Sequence, residues 1–202
     1  MFFDFESKLD PTTNKHIVNI CIAQYFTGEE RKFTKCKRLL YMGKKHKGYT
    51  FIAHFGKGYD FQLVAEWLVS HGVKPSITHN GQKIMQLEVK CDYNIRFVDS
   101  ISFTLIPLKD FPKTFGLVEL AKGYFPHMFN TDENQQYVGP YPDKIYYGYD
   151  QLKKDDREKF HEWYKTTEGK TFNFKEEMYR YCKSDVESFA VKIVVGYVYG
   201  SP

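Results

Sequence analysis

An α/β fold, a mixed β-sheet flanked by α-helices, is the class the sequence predicts, and three observations carry the prediction. Short runs of alternating apolar and polar residues, bounded by turn-forming residues, dominate the N-terminal half. Helical spacing of apolar residues sets in at Tyr59, and two further helical patterns occupy the C-terminal quarter. With 202 residues, 42% hydrophobic and 18% aromatic, the chain can bury one sizeable core; a single domain with decorated loops over residues 1–202 is expected, and general disorder is excluded.

Residues 2–6, Phe-Phe-Asp-Phe-Glu, read as a strand that reaches a polar turn at Asp10 to Lys15, and His16 to Phe26 alternates as its hairpin partner. Tyr49 to His54 is a short apolar strand ending at glycines. From Tyr59 the spacing of Leu63, Val64, Trp67, Leu68 and His71 predicts a helix. Residues 77–90 read as two strands around an Asn80-Gly81 hairpin turn, and 95–98 as another, so the sheet has about five strands or more. Prolines 112, 126, 140 and 142 then interrupt the pattern, with a short helix over 111–121 and a long loop over 122–150. Helices follow over 155–166 and from Phe174 to about Val195, the latter with Met178, Cys182, Val186, Phe189 and Ile193 as a core-facing stripe.

A net charge of +4 is compatible with a nucleic-acid partner without establishing one, and the Lys44-Lys45-His46-Lys47 run reads first as a solvated loop. Cys21, Cys36, Cys91 and Cys182 lie at long irregular intervals, which argues against a zinc site or a disulfide framework. No early stretch has the form of a signal peptide and none approaches the roughly 20 apolar residues of a membrane span, so an intracellular setting is the default.

The acidic residues carry the chemistry. Asp4 and Glu6 are two apart on a strand and share one face, while Phe3 and Phe5 take the other. Taken alone, a polar strand face explains the pair as well as a metal site does. Asp60 opens a helix, where a cap is the ordinary explanation. Tyr181 and Asp185 are one helical turn apart, on a face adjoining the core stripe, though a surface position explains them too. Together, carboxylates from separate elements form the kind of set that holds two hard divalent cations about 3.5–4 Å apart.

Phe3-Asp4-Phe5-Glu6, Tyr59-Asp60 and Tyr181-Cys182-Lys183-Ser184-Asp185 resemble the three exonuclease motifs of family B DNA polymerases. Asp99-Ser100-Ile101 and Leu120-Ala121-Lys122-Gly123-Tyr124-Phe125 resemble two additional motifs of the protein-primed branch. The phrases at 113–117, 122–127 and 137–140 are similar to polymerases of self-synthesising transposons and linear plasmids; the resemblance spans about residues 2–190. It implies a ribonuclease H-like fold in which Asp4, Glu6, Asp60 and Asp185 hold two divalent cations, Mg²⁺ or Mn²⁺, at the 3′ end of single-stranded DNA. Tyr181 would orient the attacking water, and Lys122 would meet the scissile phosphate. Ser7, His54, Tyr59, Leu63 and Ser100 match positions that contact the strand.

The expected function is therefore the 3′→5′ proofreading exonuclease part of a DNA-directed DNA polymerase primed by a terminal protein. No Asp-Thr-Asp-Ser-like palm sequence is present, so this chain alone is not expected to polymerise DNA, and it reads as cut off from its polymerase module. A catalytically decayed, ribonuclease H-like nucleic-acid-binding module is the alternative from another class. An unrelated ribonuclease H-like nuclease acting on RNA shares the metal chemistry, but the phrases between the motifs argue against it. One departure bears on the choice: where the family carries Asn after the histidine of the second motif, this chain has Phe55. Altered single-strand binding follows; if Phe55→Asn leaves affinity for a single-stranded oligonucleotide unchanged, position 55 does not touch the strand.

Overall fold

The computed structural model describes residues 1–34, 46–90, 94–102 and 123–199, with the side chains of Thr34 and of 192–199 left aside. The helix expected over 111–121, Lys122, the lysines at 44 and 45, and Cys36 and Cys91 lie outside the described residues. The chain divides into two compact units: one holds residues 1–6, the described part of 18–121 and the helix from Cys182 on, the other residues 7–17 and the described part of 122–181.

The first unit is built on a mixed sheet of β1 (Phe2–Leu9), β2 (His16–Gln24), β3 (Glu30–Thr34), β4 (Thr50–Ala53), β5 (Ser76–Asn80), β6 (Lys83–Val89) and β7 (Ile95–Asp99), with the helix α1 (Asp60–Ser70) between β4 and β5. The seven strands run in the order β3-β2-β1-β4-β7-β6-β5. β4 pairs parallel with both β1 and β7, while β2/β3, β5/β6 and β6/β7 are antiparallel. The parallel centre explains the apolar runs of these strands, since such strands are covered on both faces. On one face Phe3, Phe51 and Phe97, from three neighbouring strands, form a triangle with ring centroids 5.1–6.3 Å apart. Phe61, Val64 and Leu68 of α1 are buried in the same core. Phe2, of opposite parity, meets Phe189 edge-on at 5.2 Å.

Phe189 belongs to the last helix, named α3 below, which runs over Phe174–Tyr199. Cys182, Val186 and Phe189 are buried as the stripe predicts, and Ile193 lies outside the described side chains. The expected strands, the Asn80-Gly81 turn and both late helices are present. β3 is an addition: its Glu-Arg-Lys-Phe-Thr sequence has no apolar alternation, because it is a charged edge strand whose ladder is with β2.

The second unit contains β8 (Val138–Pro140), α2 (Lys154–Lys165), β9 (Thr171–Asn173) and the start of α3, with β8 and β9 antiparallel. Aromatic rings hold it together. Phe129 packs on Tyr137 and Tyr146, each at 5.0 Å, and Phe160 of α2 packs on Tyr124, Tyr147 and Trp163. The long loop expected over 122–150 is thus a series of short 3₁₀ turns pinned by ring contacts rather than an open excursion. Among the described residues no helix is long and apolar enough to cross a membrane.

Phe97, fully buried and touching both other rings of the triangle, anchors the sheet centre. Phe97→Ala is expected to lower unfolding free energy by about 3–5 kcal/mol in urea titrations; a loss under ~1 kcal/mol would mean that the triangle does not carry the core.

Candidate functional site

The alternation of β1 turns Asp4 and Glu6 to one side and Phe3 and Phe5 to the other, and both phenylalanines are buried in the core. α3 delivers Asp185 to the same place. Asp4, Glu6 and Asp185 each offer a carboxylate oxygen, all within 4.8 Å of one another. Like charges at that spacing repel, and a hard divalent cation with oxygen ligands is the chemistry that offsets the repulsion. The donor set therefore suits Mg²⁺ or Mn²⁺. Cys182, fully buried one turn before Val186, senses the same crowding: burial first, then the charges of Asp4 and Glu6, push its thiol well above its usual range. It stays protonated and donates to the Asp4 carbonyl at 3.5 Å.

Asp60 is not among the three clustered carboxylates, but it is attached to the same strand. It is 4% exposed, and its Oδ1 accepts the Phe5 N–H at 3.3 Å, the peptide between Asp4 and Glu6. β4 stops at Ala53, so beyond the Phe2–Ile52 pair β1 has no ladder partner on that side among the described residues, and Asp60 supplies an acceptor there. The ordinary reading of Asp60 as a helix cap does not describe it: it is the first residue of α1, whose N-cap is Tyr59 with no side-chain bond. Burial raises the Asp60 pKa from 3.8 to about 7, against bonds from its own and the Phe5 N–H, with the Asp99 carboxylate adding to the rise.

Of the residues expected to contact a strand, His54 and Ser100 are brought together, Nδ1 to Oγ at 2.8 Å, with the His54 ring against Phe189 at 5.6 Å. Ser100 is buried. Tyr59 and Leu63 are half-buried at the head of α1, Leu63 packed on the core. Ser7 and Tyr181 belong to the second unit. There Ser7 Oγ meets His16 Nδ1 at 3.0 Å and its carbonyl accepts from the buried Asn130, while Tyr181 packs against Phe125 and His127.

A family model described as DNA polymerase type B, organellar and viral, matches residues 40–195. The chain belongs to that family. Its structure is similar to Phi29 DNA polymerase complexed with primer-template DNA and incoming nucleotide substrates, with a TM-score of 0.62 and 14% identity, covering 98% of this chain and 31% of that one. Against Phi29 DNA polymerase complexed with single-stranded DNA the TM-score is 0.61 at 15% identity, with the same coverage. At such identities the likeness speaks for the fold alone, and the chain spans about a third of that polymerase's length. No curated protein matches the sequence.

This type B polymerase chain holds its second motif with a residue the sequence did not single out as a site. Asp99, fully buried at the end of β7, accepts three backbone N–H groups: Phe55 at 3.1 Å, Lys57 at 2.9 Å and Ile101 at 3.0 Å. The available signal was its place beside Ser100 in a recognised motif. The turn it clamps carries Phe55 at φ 62°, ψ 22°, the left-handed region. Asn tolerates that region and a bulky residue does not, which gives a physical reason for Asn in the family and makes Phe55 the strained choice by about 1–2 kcal/mol.

The raised Asp60 pKa has a consequence for stability. An acid that binds its proton more tightly when folded stabilises the fold below its unfolded pKa, and that contribution is lost as pH rises toward the folded value. In chelator, Asp60→Asn should therefore gain stability relative to the native chain as pH rises from about 4 to about 7. Parallel urea midpoints for the two proteins across this window would show that Asp60 is not held in a pKa-raising site.

Proposed function

We propose that this chain hydrolyses the 3′ end of single-stranded DNA, releasing nucleoside monophosphates, as the 3′→5′ proofreading domain of a protein-primed DNA polymerase. The convergence of Asp4, Glu6 and Asp185 within 4.8 Å carries the proposal, in a chain of this family. Two divalent cations, Mg²⁺ or Mn²⁺, when bound there, supply charge neutralisation at the phosphate and an acidified water. Asp60, tied to β1 between the first two ligands, would complete the set. Tyr181, four residues before Asp185 on α3, would orient the attacking water, and Lys122 would offset charge on the scissile phosphate.

His54, steered by Ser100, would hold the strand together with Tyr59, Leu63 and Ser7. DNA as partner draws support from the fold likeness to a polymerase solved with single-stranded and with primer-template DNA. A polymerase module and a terminal-protein primer complete the proposed assembly, at an intracellular replication site. The second reading, a decayed binding module, draws on Phe55 in place of Asn.

A labelled single-stranded DNA oligonucleotide with Mg²⁺ or Mn²⁺ separates these. Stepwise shortening from the 3′ end is expected, slowed in Asp4→Ala and in Asp185→Ala by more than the ~10–100-fold typical of outer-shell changes. A folded native chain that leaves the oligonucleotide intact would overturn the exonuclease and favour the binding module.

A further inference from the structure

We infer that the cavity formed by the end of β8, the last turn of α2 and the loop into β9 binds a free nucleotide, its base against Tyr141 and Tyr164 and its phosphate at Lys165 and Lys170. The inference goes beyond the proposed hydrolysis, because the cavity lies wholly within the second unit and shares no residue with the acidic cluster.

The cavity measures about 660 Å³, within the ~300–1,000 Å³ of small-ligand sites. Its aromatic lining is Tyr141, which follows β8, and Tyr164, on the last turn of α2. Both hydroxyls are engaged inside the unit: Tyr164 donates to the Pro142 carbonyl at 3.0 Å and Tyr141 to Glu177 Oε1 at 3.4 Å. The rings are braced as well, Tyr164 stacked on Phe160 at 5.6 Å and Tyr141 edge-on to Phe172 at 5.2 Å. Rings held in this way are already in place before a ligand arrives, and they offer it π surface rather than a hydroxyl.

The polar lining comes from one turn. The buried Thr167 donates its hydroxyl to the Tyr164 carbonyl at 2.7 Å, the Lys170 N–H donates to the Thr167 carbonyl at 3.0 Å, and Gly169 takes the left-handed φ of 72° that reverses the chain. The reversal brings Lys165 and Lys170 to the same cavity. Both are exposed, and among the described residues neither is ion-paired. Unpaired ammonium groups beside one cavity attract an anion, and lysine serves as a point-charge binder of phosphate. Glu168, on the same turn, also lines the cavity, and its carboxylate can accept from the hydroxyls of a ribose or the amino group of a base. An inorganic anion would leave the rings unused, and an uncharged aromatic would leave the lysines unused. A nucleotide engages both.

The test is isothermal titration calorimetry in chelator, so that no cation holds a phosphate at the acidic site, with AMP, ribose 5-phosphate, adenosine and inorganic phosphate as probes. AMP is expected to bind. Ribose 5-phosphate, which lacks the base, should bind about 5- to 150-fold more weakly, and adenosine, which lacks the phosphate, about 10- to 150-fold more weakly. Lys165→Gln combined with Lys170→Gln changes only exposed side chains and should bring AMP down to the affinity of adenosine, with thermal melting to certify folding. Tyr141→Leu should bring it down to that of ribose 5-phosphate, a contact that the ribose 5-phosphate probe reads without altering the fold. No binding of AMP, inorganic phosphate binding as tightly as AMP, or a double lysine variant that binds AMP as the native chain does would each overturn the nucleotide site. AMP binding lost in Asp4→Ala would assign it to the acidic site, and a single-stranded oligonucleotide that outcompetes AMP through the same lysines would make the cavity a strand contact; either result overturns the inference. AMP binding intact in a chain that does not shorten a strand with Mg²⁺ overturns the exonuclease alone.

Discussion

One backbone N–H at the centre of the sheet sets the terms for the site. β1 runs on after β4 has ended at Ala53, so the Phe5 peptide sits in the interior without a ladder partner on that side. A buried donor left unpaired costs about 1–3 kcal/mol, and Asp60 removes that cost by accepting from it at 3.3 Å. Burying a carboxylate is itself expensive, and the molecule shows it in the raised Asp60 pKa. The fold thus trades an orphaned amide for a destabilised acid, and places that acid against the peptide joining Asp4 to Phe5. A cation at the acidic cluster would favour the ionised form that the interior alone disfavours, so folding and binding pull the same group in opposite directions.

What could be read from the sequence follows from how local each signal is. The alternation of β1, the helical spacing after Tyr59 and the stripe on α3 are short-range patterns, and they gave the carboxylates of β1 and α3 their correct faces. β3 escaped because an edge strand needs no apolar face, and its charged residues erase the period of two. The aromatic packing of residues 124–174 escaped because rings such as Phe129 and Phe172, far apart in the chain and 6.3 Å apart in space, leave no periodic trace. Asp60 was placed at the correct helix start, but what its side chain bonds could not be read locally: besides its own N–H, it turns to a strand 55 positions away. Asp99 has no pattern at all, since an acceptor of three backbone amides is defined by the turn it holds.

The turn from His54 to Tyr59 is where local preference and the fold disagree, and such disagreements concentrate at working sites. Asn in the left-handed region would satisfy the backbone; Phe does not, and the structure retains it by clamping the turn with Asp99 and leaving Gly58 bare beneath the ring. Each of those devices is specific to the turn. The same Asp99 charge that steadies the loop also adds to the rise in the Asp60 pKa, so loop order and the ionisation of Asp60 are coupled through a single buried group.

The distance between β1 and α3 depends on a small residue. For Asp185 to reach the oxygens of Asp4 and Glu6, the helix has to approach the strand closely, and the side chain that fills that approach is Cys182, fully buried with its sulfur 3.5 Å from the Asp4 carbonyl. A larger residue would push the helix outward and spread the carboxylates, and a stronger hydrogen-bonding group would compete for the oxygens of Asp4. A thiol is compact and only a weak donor to Asp4, at 3.5 Å to the carbonyl and 3.8 Å to the carboxylate, and it is kept neutral by its burial and by the very charges it adjoins. The acidic residues define the chemistry of the site, and the packing of one uncharged cysteine sets the spacing at which that chemistry becomes available.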